Sequence, residues 1–261
     1  MSWLDPFPER AWERPEVVGW NRLPSRPPLL TIPGAWADEL PTREDLPGFH
    51  PLDGPWAFRL YDGPEAVPDE AVRPELDDRG WARIQVPGVW TRQGFDRPHY
   101  TNVQMPFAER PPRVPQANPT GVYRRVVDLR PGWMGRRVVL HVGGAESLVY
   151  VLANGRAVGL SKDSRLACEF DLSPFLHAGR NHLALVVVRY SDRTFLEEPY
   201  HWIHAGLHRE VFLRATRRAR FEDVQVVADL DERGVGHLRV RSQFGGGEGA
   251  ARGAGGWAGR A

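Results

Sequence analysis

The sequence predicts an all-β protein whose main domain is a jelly-roll β-sandwich. About eight short apolar or alternating segments follow one another between residues 52 and 214, and turns rich in Gly, Pro and Asp separate them. No long segment repeats its apolar residues with the 3.6-residue period of a helix. Many short strands with turn signals between them are typical of a β-sandwich or barrel.

An extended N-terminal arm is predicted over residues 1–47. This stretch is rich in proline and charge and has little periodicity, which favours an extended chain over a packed unit. Its apolar residues are too many for a solvated tail, so we expect the arm to lie either on this chain or on a neighbouring subunit. These residues are Trp3, Trp12, Trp20, Leu29, Leu30 and Trp36.

The sandwich itself is predicted over residues 48–217. Residues 55–60 alternate apolar and polar side chains, as a half-buried strand does. The strand over 147–152 is followed by Asn154-Gly155, a pair that favours the positive φ angles of a tight hairpin turn. Residues 182–190 are apolar on both faces, which predicts a central strand. Shorter runs complete the set at 81–87, 124–129, 136–142, 156–159 and 210–214.

A second unit is predicted from residue 218. Residues 221–230 and 236–244 alternate around a turn at 231–234, so 218–244 is interpreted as one hairpin. The segment 245–261 is nearly all Gly, Ala and Arg, a composition that predicts disorder. We therefore expect the chain to stop part-way into its second domain.

Composition excludes several function classes. Hydrophobic residues make up 41% of the 261 residues, enough for a sizeable core. The net charge of +1, from 34 basic and 33 acidic residues, argues against nucleic acid as a partner. The absence of a membrane-length apolar stretch and of signal-peptide features, with Cys168 as the one cysteine, predicts a cytoplasmic protein without a membrane or a disulfide. Ten tryptophans suit stacking on sugar rings, although filling of a β core explains any one of them equally well.

Two polar positions are candidate binding residues. Asn102 lies in a polar loop and offers both donors and an acceptor to sugar hydroxyls, with capping of a turn as the alternative. Asp192 follows the predicted central strand, where a carboxylate can accept hydrogen bonds from sugar hydroxyls or ligate a hard cation such as Na⁺ or Mg²⁺. The alternative is an ion pair with Arg189 or Arg193.

Two further clusters are weaker candidates. His201, His204 and His208 have the spacing of a zinc site on a helix, but Gly206 interrupts that helix and a β-run follows, which disfavours zinc. Glu197 and Glu198 are adjacent, so in a strand they point to opposite faces and do not flank one glycosidic bond. No catalytic residue is therefore predicted in this chain.

A series of motifs resembles the large bacterial β-galactosidases of glycoside hydrolase family 2, over most of residues 11–230. Their order and spacing, more than any single motif, carry the resemblance. In chain order they are Trp12-Glu13-Arg14-Pro15, Leu52-Asp53-Gly54-Pro55-Trp56-Ala57-Phe58, Tyr100-Thr101-Asn102-Val103, Asn118-Pro119-Thr120-Gly121-Val122-Tyr123, Asp163-Ser164-Arg165, Glu169-Phe170-Asp171-Leu172, Tyr190-Ser191-Asp192 and Gly206-Leu207-His208-Arg209-Glu210-Val211.

The resemblance implies a jelly-roll sugar-binding domain, the start of an immunoglobulin-like domain, and a TIM barrel with two catalytic glutamates and Mg²⁺ ligands that this sequence lacks. It implies that Asn102 contacts a β-galactoside and that Asp192 contacts galactose and ligates Na⁺. It also implies an arm that supports tetramer assembly. By itself the chain is then expected to be inactive. The alternatives are a stand-alone carbohydrate-binding module, or a fragment of a related β-glucuronidase or β-mannosidase.

Overall fold

A computed structural model describes residues 2–32, 41–100, 105–197 and 202–246, together with the backbone of residues 252–260. The chain divides into two compact units, Met1–Ser25 with His50–Arg214, and Arg26–Phe49 with Ala215–Ala261. These boundaries differ from the predicted ones, because the first part of the expected arm belongs to the first unit and the second part to the second unit.

The predicted all-β class is confirmed, since strands make up nearly all of the regular structure in the described residues. Apart from short 3₁₀ turns, these residues contain one helical turn, α1 (Thr194–Glu197). The strands are β1 (Gly19–Trp20), β2 (Phe49–Pro51), β3 (Gly54–Tyr61), β4 (Ala82–Val86), β5 (Gly88–Val89), β6 (His99–Tyr100), β7 (Thr120–Asp128), β8 (Arg137–Val142), β9 (Ala145–Glu146), β10 (Leu148–Ala153), β11 (Arg156–Ser161), β12 (Cys168–Asp171), β13 (Arg180–Val188), β14 (Trp202–Ile203), β15 (Gly206–Leu207), β16 (Val211–Thr216), β17 (Arg220–Leu230), β18 (Val235–Gly245) and β19 (Arg252–Arg260).

Two large sheets form the sandwich. The first has seven antiparallel strands in the order β1-β11-β10-β13-β7-β3-β4, and the second has four in the order β12-β8-β16-β2. Neighbours in each sheet are mostly distant in sequence, as jelly-roll connections require. Two small sheets, β14-β6 and β5-β15-β9, lie in the same unit and carry the candidate site.

Strand β13 is the fourth of the seven strands, as its two apolar faces predict. Along β13 the side chains alternate between the two faces of the sheet. Ala184, Val186 and Val188 belong to a buried cluster that also contains Trp3, Phe7 and Trp12 of the N-terminal segment. The second apolar face of the sheet is therefore covered by the beginning of the same chain.

The N-terminal segment, residues 2–25, is packed rather than extended away from the sandwich. Trp3 donates its indole N–H to the carbonyl of Val67 at 3.1 Å, and its ring meets Tyr150 edge to face at 5.3 Å between centroids. Strand β1 forms one edge of the seven-stranded sheet and pairs with β11, with Gly19 opposite Ser161. Of the two expected locations for the arm, the structure places this part on its own chain, because the bare face of the large sheet offers it a continuous apolar surface.

Cys168 lies in the core of the first unit. It begins β12 and is buried. Burial raises the pKa of its thiol to about 12, so the reactive thiolate is strongly disfavoured in the folded chain.

In the second unit, β17 and β18 form a long antiparallel hairpin whose turn lies at residues 231–234. The carboxylate of Asp231 accepts the backbone N–H groups of Arg233 and Val235, and Gly234 takes a positive φ of 74°. The Gly-, Ala- and Arg-rich segment, for which composition favours disorder, contains strand β19 paired with β18. Backbone hydrogen bonds make this pairing, and they do not require apolar side chains.

No helix among the described residues is long and apolar enough to cross a bilayer.

Candidate functional site

Two exposed aromatic rings pack against each other on the surface of the first unit. Strands β6 and β14 pair as a short antiparallel ribbon in which Tyr100 lies opposite Trp202. The ring centroids are 5.4 Å apart, and the side chains are 56% and 53% exposed. Alternation along each strand turns His99 and Ile203 inward. A pair of large aromatic rings held open to solvent is a surface on which a sugar ring can stack.

The buried side chain of Arg189 anchors this ribbon. Its guanidinium is 1% exposed, forms an ion pair with Asp96, and donates hydrogen bonds to the carbonyl oxygens of Arg97 and Ile203 at 2.9 and 3.1 Å. One buried side chain therefore fixes both the loop before β6 and the strand β14. The planar guanidinium suits this role because its donors point in several fixed directions.

The inner face of the ribbon is tied to the sandwich by His99. Its Nδ1 atom lies 3.1 Å from the hydroxyl of Tyr190. Burial and the nearby Arg189 lower the pKa of His99, so the imidazole is neutral at pH 7. A neutral imidazole can form one hydrogen bond with the tyrosine hydroxyl without bringing a second positive charge next to Arg189.

Strand β15, which follows β14 in the chain, lies between β5 and β9. Gly206 takes a φ of 130°, and a Cβ atom there would lie 2.8 Å from the hydroxyl oxygen of Tyr123 and 3.0 Å from the carbonyl oxygen of Gly88. Only glycine satisfies both the backbone angle and the space. The glycine of the Gly-Leu-His-Arg-Glu-Val motif thus allows the chain after Trp202 to approach the core closely.

The histidine cluster forms no helix where it is described. His204 and His208 flank strand β15, and residue 201 lies outside the described residues. His204 Nδ1 is 2.8 Å from the Thr91 hydroxyl, and His208 Nε2 is 2.7 Å from the carbonyl oxygen of Ser164. Within the described ranges, no three His, Cys, Asp or Glu residues are grouped to hold a metal ion. These two histidines have structural hydrogen-bond partners.

The two predicted binding residues have different outcomes. Asn102 lies outside the described residues, although Tyr100 of the same motif forms the ribbon. Asp192 is 6% exposed, and its Oδ1 atom accepts a hydrogen bond from Lys162 Nζ at 2.5 Å. An ion pair was the alternative for Asp192, but its partner is Lys162, and Arg189 binds Asp96 instead. The predicted sugar contact of Asp192 stays a prediction, and the geometry favours a structural role.

The donor set around Asp192 does not fit the Na⁺ ion that the family resemblance implies. The Oδ1 atom faces the Lys162 ammonium, whose side chain has no exposed surface. A sodium ion bound to the same oxygen would lie close to that ammonium, and two like charges at such a distance repel strongly in a buried site.

The carboxylates near the motifs are engaged in structural contacts. Asp96 binds Arg189 and Asp192 binds Lys162. Glu197 accepts the backbone N–H of Ser164 at 3.2 Å, and burial raises its pKa. Glycoside hydrolysis requires an acid and a second carboxylate on either side of one bond. Each of these three carboxylates instead binds a cation or a backbone N–H group.

Sequence reasoning missed Arg189 and Lys162 as organising residues. The sequence indicates Arg189 only as a possible partner of Asp192, and none of the family motifs includes Lys162. A usable signal was present for Lys162, because it is the only lysine among the 34 Lys and Arg residues. No local pattern indicates that Arg189 reaches Asp96, which lies 93 positions earlier in the chain.

Comparisons with known proteins agree with this architecture. The chain is 39% identical to a β-galactosidase of Vibrio cholerae over 221 residues, which is 84% of this chain and 21% of the relative. It is 38% identical to a β-galactosidase of Yersinia pestis over 224 residues, or 85% of this chain and 21% of the relative. The chain therefore spans about a fifth of the length of these curated relatives.

Solved structures show the same fold. A β-glucuronidase of Bifidobacterium dentium matches with a TM-score of 0.59 and 21% identity, over 81% of this chain and 42% of that one. A β-glucuronidase of Bacteroides uniformis matches with a TM-score of 0.61 and 18% identity, over 82% and 26%. The sequence model described as "Glycosyl hydrolases family 2, sugar binding domain" matches residues 49–217. The chain belongs to glycoside hydrolase family 2, and residues 49–217 are its sugar-binding domain.

Proposed function

We propose that this chain is the sugar-binding portion of a β-galactosidase and that the β6–β14 ribbon is the surface that meets the sugar. The observation that carries the proposal is the exposed Tyr100–Trp202 pair, in which Tyr100 is the first residue of the Tyr-Thr-Asn-Val motif. Two named relatives are β-galactosidases, but the chain covers a fifth of their length. The activity of a complete enzyme is therefore part of the proposal.

The chemistry of the ligand follows from the surface. One face of a β-galactose ring presents a run of C–H groups, and such a face packs well on an indole ring. Hydroxyls at the rim of the sugar need polar partners, and Asn102 of the same motif is the candidate for that contact. Asp192 has no part in this proposal, because Lys162 already holds its carboxylate.

Sugar binding is tested with Trp202→Ala in the full chain. We expect methyl β-galactoside to bind weakly to the unaltered chain in saturation-transfer NMR, and Trp202→Ala to weaken binding by about three- to tenfold, the scale of one aromatic contact. The control is Phe221→Ala, because Phe221 is 53% exposed and packs at 4.5 Å against Phe244, and its loss should leave binding unchanged.

Three results would decide against the sugar-binding proposal. A chain that binds no galactoside would reject it as a whole. Equal binding of the sugar by Trp202→Ala and by the unaltered chain would show that the sugar does not bind at the ribbon. Stronger binding of methyl β-glucuronide than of methyl β-galactoside would indicate that the ligand is a glucuronide rather than a galactoside.

We expect the chain alone to hydrolyse no galactoside. A sugar oriented by stacking and hydrogen bonds still needs proton transfer and a nucleophile or activated water. The assay uses a chromogenic β-galactoside with the chain purified by gel filtration. Saturable turnover that follows the protein peak across the elution profile would contradict the expectation.

A further inference from the structure

Lys162 is an unusual cation in this chain. Basic side chains number 34, and Lys162 is the one lysine among them. Its side chain has no exposed surface, whereas lysine is almost never fully buried unless it is paired. A single lysine at a buried position, in a chain that otherwise uses arginine, indicates a site that needs a compact point charge rather than a planar guanidinium.

The ammonium joins two separate parts of the first unit. Nζ of Lys162 donates to Asp192 Oδ1 at 2.5 Å and to the carbonyl oxygen of Arg14 at 2.7 Å. Asp192 lies just after the central strand, and Arg14 lies in the N-terminal segment. The cation therefore bridges a carboxylate of the sandwich and a backbone oxygen of the segment that covers it.

Backbone hydrogen bonds strengthen the same junction. The N–H of Asp192 donates to the carbonyl of Trp12 at 2.8 Å, and the N–H of Lys162 donates to the carbonyl of Val18 at 3.0 Å. Lys162 directly follows strand β11, whose Ser161 pairs with Gly19 of β1. Residues 12–20 thus contact both members of the ion pair, and the pair is buried beneath them.

Oxygen atoms of a carboxylate and of a backbone carbonyl are also the ligands that hard metal ions prefer. Here an ammonium contacts both oxygens, and this explains why a sodium ion does not fit at Asp192. We propose that Lys162 is the built-in cation of this junction, so that the N-terminal segment docks on the sandwich without a bound metal ion.

The first experiment measures amide hydrogen exchange of the peptide covering residues 11–20 in the full chain. We expect its protection in the unaltered chain to be the same with choline and a chelator as with excess Na⁺ or Mg²⁺. Lys162→Gln should lower that protection by at least about tenfold in choline, since it leaves Asp192 as a buried charge without a partner. Excess Mg²⁺ should restore part of the protection in Lys162→Gln, because it supplies the missing charge.

Arg137→Gln is the matched control. Arg137 is partly buried and pairs with Asp171 at 2.8 Å within the same unit, in the four-stranded sheet, whereas β1 pairs with the seven-stranded sheet. The variant should leave exchange of the 11–20 peptide unchanged with or without metal ions. A general loss of stability would lower protection in both variants, whereas loss of the junction lowers it in Lys162→Gln alone.

A second measurement needs no variant. Because the chain has one lysine side chain, acylation of that amine followed by peptide mass spectrometry reports on Lys162 alone. We expect its acylation in the folded chain to be at least about a hundredfold slower than in denaturant, and equally slow with and without Na⁺ or Mg²⁺.

Any of four outcomes would overturn the proposal. In the unaltered chain, protection of the 11–20 peptide could rise with Na⁺ or Mg²⁺. In Lys162→Gln, the peptide could be as protected in choline as it is in the unaltered chain, or Mg²⁺ could restore none of its protection. Finally, Lys162 could be acylated as fast in the folded chain as in denaturant. None of these measurements depends on sugar binding, so the proposal stands or fails separately from the proposed function.

Discussion

Replacing Glu169 with glutamine is expected to lower the free energy of unfolding by about 3–5 kcal/mol, the cost of breaking a buried ion pair. The Glu169 carboxylate accepts hydrogen bonds from Arg214 Nη2 at 2.7 Å, from Arg214 Nε at 3.1 Å and from His141 Nδ1 at 3.2 Å. All three residues are buried, and the His141 ring stacks on Phe212. Glutamine keeps the shape of the side chain but leaves the Arg214 charge buried without a counterion.

The same substitution should change the response to acid. Burial alone would raise the pKa of Glu169, but the hydrogen bonds and charges of His141 and Arg214 outweigh it and lower the pKa to about 2. The unfolded chain has a Glu pKa of about 4.3. Ionised Glu169 therefore stabilises the fold fully above that pH, and this contribution is lost as pH falls toward the folded pKa. Stability of Glu169→Gln should fall less steeply over this range.

Urea unfolding followed by circular dichroism, repeated between neutral pH and the acid limit of solubility, measures both effects. The control is Glu65→Gln, because Glu65 forms an exposed ion pair with Arg10. Exposed pairs contribute little, so we expect a change within about 0.5 kcal/mol. Equal losses for the two variants, or identical acid profiles for Glu169→Gln and the unaltered chain, would contradict the role given to the buried network.

Replacing Arg189 with methionine should cost a similar amount of stability, about 3–5 kcal/mol. Methionine fills much of the same volume but donates no hydrogen bond. Asp96 then loses its ion pair, and the carbonyl oxygens of Arg97 and Ile203 lose their donors. These three groups lie in the loop before β6 and in β14. The loss of stability should therefore be largest at the aromatic ribbon.

Two measurements separate this local effect from a general loss of stability. Amide exchange of peptides covering residues 96–100 and 202–206 should rise more than exchange of the central strand β13. Binding of methyl β-galactoside should weaken at least as much as in Trp202→Ala, since both rings depend on the ribbon. Arg79→Met serves as the control, because Arg79 is largely exposed and pairs with Asp77 nearby, and it should behave like the unaltered chain. Uniform exchange across the unit in Arg189→Met would argue against a specific anchor.

Much of the fold is predictable because the signals are local. Alternation identified β3, and the Asn154-Gly155 turn separates β10 from β11 as predicted. The central position of β13 follows from its two apolar faces, which only a strand covered on both sides retains. Each inference depends on a few consecutive residues, and the period of two for a strand relates those residues directly to a face of the sheet.

The sequence by itself therefore determined the β class, the approximate strands and, through ordered motifs, the family. The tertiary structure alone decided which residues meet across long stretches of chain. In the structure the N-terminal segment packs on the open face of β13. Asp192 forms an ion pair with Lys162 rather than with Arg189 or Arg193, and Arg189 forms an ion pair with Asp96. An isolated charge in the sequence has many possible partners, and only the path of the chain brings one of them within hydrogen-bonding distance.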